Sequence, residues 1–229
     1  MKFITFSFDD GTVQDRDTVR LLNKYGIRGT FNLNSGLFGN VHSIQRYNKT
    51  VDHTELTAEE AKELYKGHEI AVHTRTHPKL QNLGEKERLE EINGDKECLE
   101  AVFGCTVTGM AYPGGIPNYD ESVLKTVREH TDLKFARTII ETKGFEPPAD
   151  FLEWNPTCHV CDEQIFELAD RFEALDPNAD AIFYIWGHSF DLDGLNLWER
   201  FERLLKRASS MKNAAIAPNR EVYAYFTSK

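Results

Sequence analysis

Lys2-Phe3-Ile4-Thr5-Phe6-Ser7-Phe8-Asp9-Asp10-Gly11 is a short apolar run that stops abruptly at two carboxylates and a glycine. The apolar part spans about six residues, too short for the ~7–15-residue core of a signal peptide. It reads as a strand buried on both faces, ending in polar groups. The same form recurs at residues 28–33, 69–72, 106–111, 133–138, 181–186 and, more briefly, 214–217. Helix-like stretches lie between these runs. Residues 15–25 carry Val19, Leu21 and Leu22 and stop at Gly26. Thr57 and Glu60 form a capping-box pattern that opens a helix running to Tyr65. Residues 85–103, 162–175 and 197–206 complete the series. Strands that alternate with helices predict parallel strands joined by right-handed crossovers. The expected fold is therefore α/β, a distorted (β/α) barrel of about seven parallel strands related to the TIM barrel. All 229 residues are expected to form one domain.

Composition narrows the function. The net charge is −10, which disfavours nucleic acid and anionic membrane as partners, since both are polyanions. No run approaches the ~18 apolar residues of a membrane span, so a cytoplasmic location is expected. Cys98, Cys105, Cys158 and Cys161 are then read as reduced thiols. Cys158-His159-Val160-Cys161 is a single CxxC, whereas a structural zinc site takes two such pairs, so these two cysteines are read as packing residues.

Functional residues of parallel barrels gather where strands end, and the chain's polar residues fall there. Asp9 and Asp10 end the first run. His73 ends the third, and His77 follows four residues later. Tyr112-Pro113-Gly114-Gly115 follows the fourth, and Gly187-His188 the sixth. Two imidazoles at i and i+4 on a helical turn share a face, as ligands of one metal must. Two histidines with one carboxylate suit zinc and leave a position open for water; cobalt, nickel and manganese also suit this set. Adjacent carboxylates can divide labour, one on the metal and one free as a base. An imidazole such as His188 is suited to donating a proton near neutral pH.

Thr5-Phe6-Ser7-Phe8-Asp9-Asp10-Gly11 resembles the first motif of the polysaccharide deacetylase family, the NodB-homology domains of carbohydrate esterase family 4. His73-Thr74-Arg75-Thr76-His77-Pro78 resembles the second motif, Ala111-Tyr112-Pro113-Gly114-Gly115 the third and Trp186-Gly187-His188 the last. They occur in family order across nearly the whole chain. The resemblance implies Asp9 as general base, Asp10, His73 and His77 on one divalent metal, and His188 as general acid. It also implies an oxyanion-binding N–H in the Pro113–Gly115 turn. Trp154 would correspond to an aromatic residue walling the groove. Trp154, Trp186 and Tyr112 are expected either to stack on sugar faces or to pack the barrel mouth. Glu153, Asp191 and Asp193 are the candidate carboxylates for tuning His188. Ala111 departs from the pattern, because many relatives have there an arginine that clamps the base; Arg137 is the candidate replacement. The implied activity is removal of acetyl groups from N-acetylated sugars, with a small soluble carbohydrate or N-acyl compound as substrate. The alternatives are an amidohydrolase of cyclic ureides or imides on the same fold and a non-catalytic carbohydrate-binding relative.

Overall fold

The computed structural model describes residues 1–228. In chain order the strands are β1 (Lys2–Asp9), β2 (Thr30–Leu33), β3 (Ser43–Arg46), β4 (Lys49–Asp52), β5 (Glu69–Val72), β6 (Gly109–Ala111), β7 (Phe135–Arg137), β8 (Cys158–His159), β9 (Ala181–Gly187) and β10 (Ala215–Ile216). The helices are α1 (Asp15–Lys24), α2 (Ala58–Leu64), α3 (Glu85–Phe103), α4 (Glu121–His130), α5 (Ile165–Glu173), α6 (Ser189–Gly194), α7 (Trp198–Ser210) and α8 (Asn219–Thr227). Seven strands make one curled sheet in the order β7-β6-β5-β2-β1-β9-β8. Every neighbouring pair is parallel, so the α/β barrel expected from the alternation is the fold observed.

Every residue of β1 is buried, as a strand with covered faces requires. Side chains alternate between faces along a strand. Ile4, Phe6 and Phe8 join the large core between sheet and helices. Phe3 faces the barrel interior with Phe135, Ile182, Tyr184 and Trp186, and α8 closes that end with Val222, Tyr223 and Phe226. The two edges of the sheet meet through one extended passage. Trp154 bridges Arg137 on β7, and its N–H bonds Ala136 O at 3.0 Å. A few residues on, β8 pairs with Ile185 and Trp186 of β9.

The structure corrects several details of the sequence reading. The seventh strand is Cys158–His159; residues 215–216 pair only with Phe3 and Ile4 at the start of β1, off the main path. A two-residue strand carries no apolar run, so its pairing is visible only once the edges of the sheet are in place. The β3–β4 hairpin and helices α4, α6 and α8 are additions to the expected series. The capping box of α2 is present, with Thr57 and Glu60 each bonding the other's backbone N–H at 3.2 Å. Trp154 does not wall a groove. It is 1% exposed, with Tyr184, Phe151 and Phe135 at ring-centre distances of 4.7, 4.9 and 5.9 Å, because its backbone hydrogen bonds to β7 turn it inward. Among the described residues no helix is long and apolar enough to cross a membrane.

If Trp154 is a core residue, Trp154→Ala lowers folding stability by about 3–5 kcal/mol, read from urea denaturation. A stability within 1 kcal/mol of wild type would return this side chain to the groove.

Candidate functional site

Alternation along β1 sends Asp9 to the barrel interior, where it is 2% exposed. A buried carboxylate stays ionised only if its charge is compensated. Asn32, its register partner on β2, donates from Nδ2 to Asp9 Oδ1 at 2.8 Å. Arg137, at the end of β7, donates from Nη2 to Oδ2 at 2.5 Å. Burial pushes the Asp9 pKa up, but Arg137, His73 and His188 outweigh it and hold the carboxyl below its usual range. Arg137 is itself fully buried, bonds Thr138 O at 3.0 Å and lies 4.5 Å from the centre of the Trp186 ring. The cation that Ala111 cannot supply thus reaches Asp9 from the neighbouring strand.

The chain leaves β1 with Asp10 at φ 76°, a left-handed conformation that turns its carboxylate away from Asp9's path. His73 and His77 also meet it through irregular backbone. The segment after β5 is a loop in which Thr74 and His77 have φ 69° and 58°, so the expected helical turn is absent. Pro78 disfavours helical geometry at the residue before it. The loop is pinned instead. Asn34 Nδ2 donates to the carbonyls of His73 and Thr74, Asp95 accepts from the N–H of Ser35 at 2.7 Å and of His73 at 3.2 Å, and Glu91 takes the N–H of Thr76. Gly36 makes this approach possible, since a Cβ there would lie 2.6 Å from Arg75 O.

His73 Nε2 and His77 Nε2 lie 3.5 and 3.7 Å from Asp10 Oδ1. That oxygen is buried and has no hydrogen-bond partner. Three donors about 2.0–2.2 Å from one tetrahedral ion stand about 3.3–3.6 Å apart. His73 Nδ1 is 2.9 Å from Ala111 O, so it carries the ring proton and leaves the Nε2 lone pair toward Asp10. Burial pulls the His73 pKa down to about 4, which keeps the ring neutral, as a ligand must be. The orphaned oxygen, the spacing and the protonation pattern all fit a divalent ion.

His188 faces this group from the end of β9, its Nε2 3.9 Å from both Asp9 Oδ2 and Asp10 Oδ2. Its Nδ1 bonds Asp191 Oδ2 at 2.9 Å. Burial opposes the charged ring, but Asp191, Asp10 and Asp9 outweigh it and raise the His188 pKa. Of the three candidate carboxylates, Asp191 is therefore the one that reaches His188. Glu153 instead accepts from Tyr119 Oη at 2.8 Å, and Asp193 from Trp198 Nε1 at 3.3 Å. Neither approaches the imidazole because each is committed to its own surface contact. Tyr112 is fully buried, stacked on Tyr119 and bonded to Leu152 O, so it packs the wall. Trp186 lines the cavity with one ring face taken by Arg137. The turn after Tyr112 brings Gly114, at φ 85°, and Gly115 to the cavity, with Pro113 buried beside them.

Asp9, Asp10, His73, His77, Tyr112, Gly114, Gly115, Trp186 and His188 line one cavity of about 350 Å³, together with Ile44, Arg46, His53, Ile139 and Phe190. Sequence reasoning missed Arg46, Tyr47 and His53, all carried by the β3–β4 hairpin or its end. Arg46 Nε and Tyr47 Oη hold Asp191 Oδ1 at 2.8 and 2.7 Å, and His159 Nε2 lies 3.3 Å from Oδ2. His53 Nε2 lies 3.3 Å from Asp10 Oδ2. Burial lowers the His53 pKa, but Asp10 and Glu55 outweigh it and push it up to about 9. The available signal was the Tyr47-Asn48 pair, since Arg46 pairs with Lys49 and both turn residues have φ 57°, the two-residue hairpin geometry that favours asparagine.

The polysaccharide deacetylase family model matches residues 1–132. The Streptococcus pyogenes deacetylase PplD, solved with acetate, superposes with a TM-score of 0.53 at 22% identity, covering 66% of this chain and 62% of that one. The chain thus spans less than two thirds of that relative. The Xyl-CE4 domain of a multidomain xylanase from the hindgut metagenome of Trinervitermes trinervoides gives 0.62 at 15% identity over 99% of this chain and 91% of that one. A family 4 acetyl xylan esterase from Clostridium thermocellum, solved with a cobalt ion, gives 0.59 at 17% over 97% and 91%. No curated protein gives a significant match. His188, Asp191 and Arg137 lie beyond the matched residues, so their association with Asp9 and Asp10 rests on the geometry above.

Replacing Asp191 by Asn removes the charge that favours protonated His188, so the His188 titration midpoint falls; imidazole NMR reads this directly. Asp193→Asn and Glu153→Gln leave it in place. A midpoint insensitive to Asp191 would break the pairing.

Proposed function

Because the chain belongs to the polysaccharide deacetylase family, we propose that it is a metal-dependent hydrolase removing acetyl groups from N-acetylated sugars or oligosaccharides. The observation that carries this reading is the placing of Asp9 and His188, 3.9 Å apart, beside the convergent set of Asp10, His73 and His77. The cobalt held by the Clostridium relative supports a divalent ion at these ligands, with zinc the first expectation from two histidines and a carboxylate. A cavity of about 350 Å³ lies at the small end of ligand pockets and suits a short carbohydrate bearing an acetamido group.

Asp10, His73 and His77 would hold the ion, which when bound polarises an acyl oxygen and lowers the pKa of water. Asp9, kept ionised by Arg137, accepts a proton from the water that attacks the acetyl carbon. A backbone N–H of Gly114 or Gly115 donates to the oxygen that gains charge, a contact worth about 3 kcal/mol in comparable sites. Pro113 has no N–H and serves by shaping the turn. His188, protonated with Asp191 behind it, gives its Nε2 proton to the departing nitrogen as the C–N bond breaks. The products are acetate and a free amine.

The direct test strips the protein with chelator, restores Zn, Co, Ni or Mn, and follows acetate and amine release from N-acetylated sugars of increasing length. Ammonia release from cyclic ureides with no acetate from any sugar would overturn the proposal. Asp9→Asn should keep the metal and lower kcat by about 10²- to 10⁴-fold, whereas Asp10→Asn should weaken metal binding itself. Equal metal loss in both variants contradicts the division of roles. For His188, the alanine variant should slow an amide far more than an activated ester, whose leaving group needs no proton; equal loss on both would remove the acid assignment.

A further inference from the structure

A second group of ligand-type side chains lies at the base of the β3–β4 hairpin. The hairpin ladder continues past Asp52, with His53 N–H bonding His42 O and Glu55 N–H bonding Asn40 O, each at 3.0 Å. His42 therefore stands opposite His53, and Glu55 lies two residues on, so the three side chains share one face. Their donor atoms all fall within 4.8 Å of one another. His42 Nδ1 is 3.4 Å from Glu55 Oε2, and His53 Nδ1 is 3.3 Å from Glu55 Oε1.

Glu55 is 3% exposed, yet neither of its oxygens has a hydrogen bond, and His53 Nδ1 is likewise buried and unpartnered. Unsatisfied buried groups of this kind are costly, and their gathering in one cluster with His42 calls for an occupant. We propose that His42, His53 and Glu55 bind a second divalent ion of the zinc type. Two imidazoles and a carboxylate suit such ions and disfavour magnesium and calcium, which take oxygen donors. An ion at His53 Nδ1 would displace the proton that the ring otherwise shares with Glu55. A histidine bound through Nδ1 carries its proton on Nε2 and donates it to a carboxylate, and His53 Nε2 faces Asp10 Oδ2 at 3.3 Å. The second ion would thus anchor the hairpin to a ligand of the first centre. Asn40 Nδ2 lies 3.2 Å from His42 Nδ1, a contact that an ion bound at this nitrogen would replace. His42 is 38% exposed and provides the entry path.

The proposal goes beyond the catalytic reading, and metal counting tests it without an activity assay. Chelator-stripped full-length protein is titrated with Zn²⁺ and Co²⁺ alone, and bound metal is measured by calorimetry and elemental analysis. Wild type should take two ions per chain, His42→Ala and Glu55→Gln one each, and the His42→Ala/His73→Ala double variant none. Exposed His42 keeps the test valid if Glu55→Gln fails to fold. Saturation of wild type at one ion, or a second ion that survives both His42→Ala and Glu55→Gln, overturns the proposal. A His73→Ala protein that still takes two ions, with one lost on His42→Ala, would remove the primary centre and leave this one standing.

Discussion

Two adjacent carboxylates end the central strand of the barrel, both almost out of contact with water, and each charge needs a partner brought from elsewhere in the chain. Asp9 is answered by Asn32 on the adjacent strand β2 and by Arg137 on the edge strand β7. Asp10 is answered by His53, and His73 and His77 face it from a separate loop. A buried carboxylate with one partner removed is an uncompensated charge, which costs far more than an exposed one. The positions of β2, β5 and β7 relative to β1 are thus tied to the same electrostatic requirement that equips the site.

The hairpin outside the barrel extends this arrangement. Asp191 receives Arg46, Tyr47, His159 and His188, and burial, which would raise its pKa, is outweighed by these contacts, so it stays ionised. Arg46 is also stacked near Phe190, 5.3 Å from the ring centre. The orientation of His188 therefore depends on residues that never enter the reaction. Networks of this type strengthen in a low dielectric when every member is satisfied.

The barrel interior is divided along its axis. Phe3, Phe135, Tyr184 and Trp154 fill the end sealed by α8, while Asp9, Arg137 and His73 occupy the end that opens to the cavity. The apolar end supplies packing that holds strand register. Register matters here because a slip of one residue would send Asp9 to the helix-facing side and Phe8 to the cavity.

Periodicity along the chain determined most of the frame. Local apolar runs and caps identified six of the seven sheet strands, and the Asp9-Asp10, His73–His77, Tyr112–Gly115 and His188 clusters at strand ends were legible as a site, because strand termini are local features of sequence. What the sequence left open required distance information. Arg137 is 128 residues from Asp9, and the pairing exists only because β7 curls round to face β1. The choice of Asp191 over Asp193 followed from the short helix α6, whose first turn points Asp191 back at His188 while Asp193, further along, meets Trp198; Glu153 is held away by Tyr119. Trp154 passed from candidate groove wall to core because backbone hydrogen bonds across the closing edge set its direction. The hairpin residues Arg46, Tyr47 and His53 carry no apolar pattern at all; their chemistry arises from where a two-residue turn folds them over the mouth of the barrel.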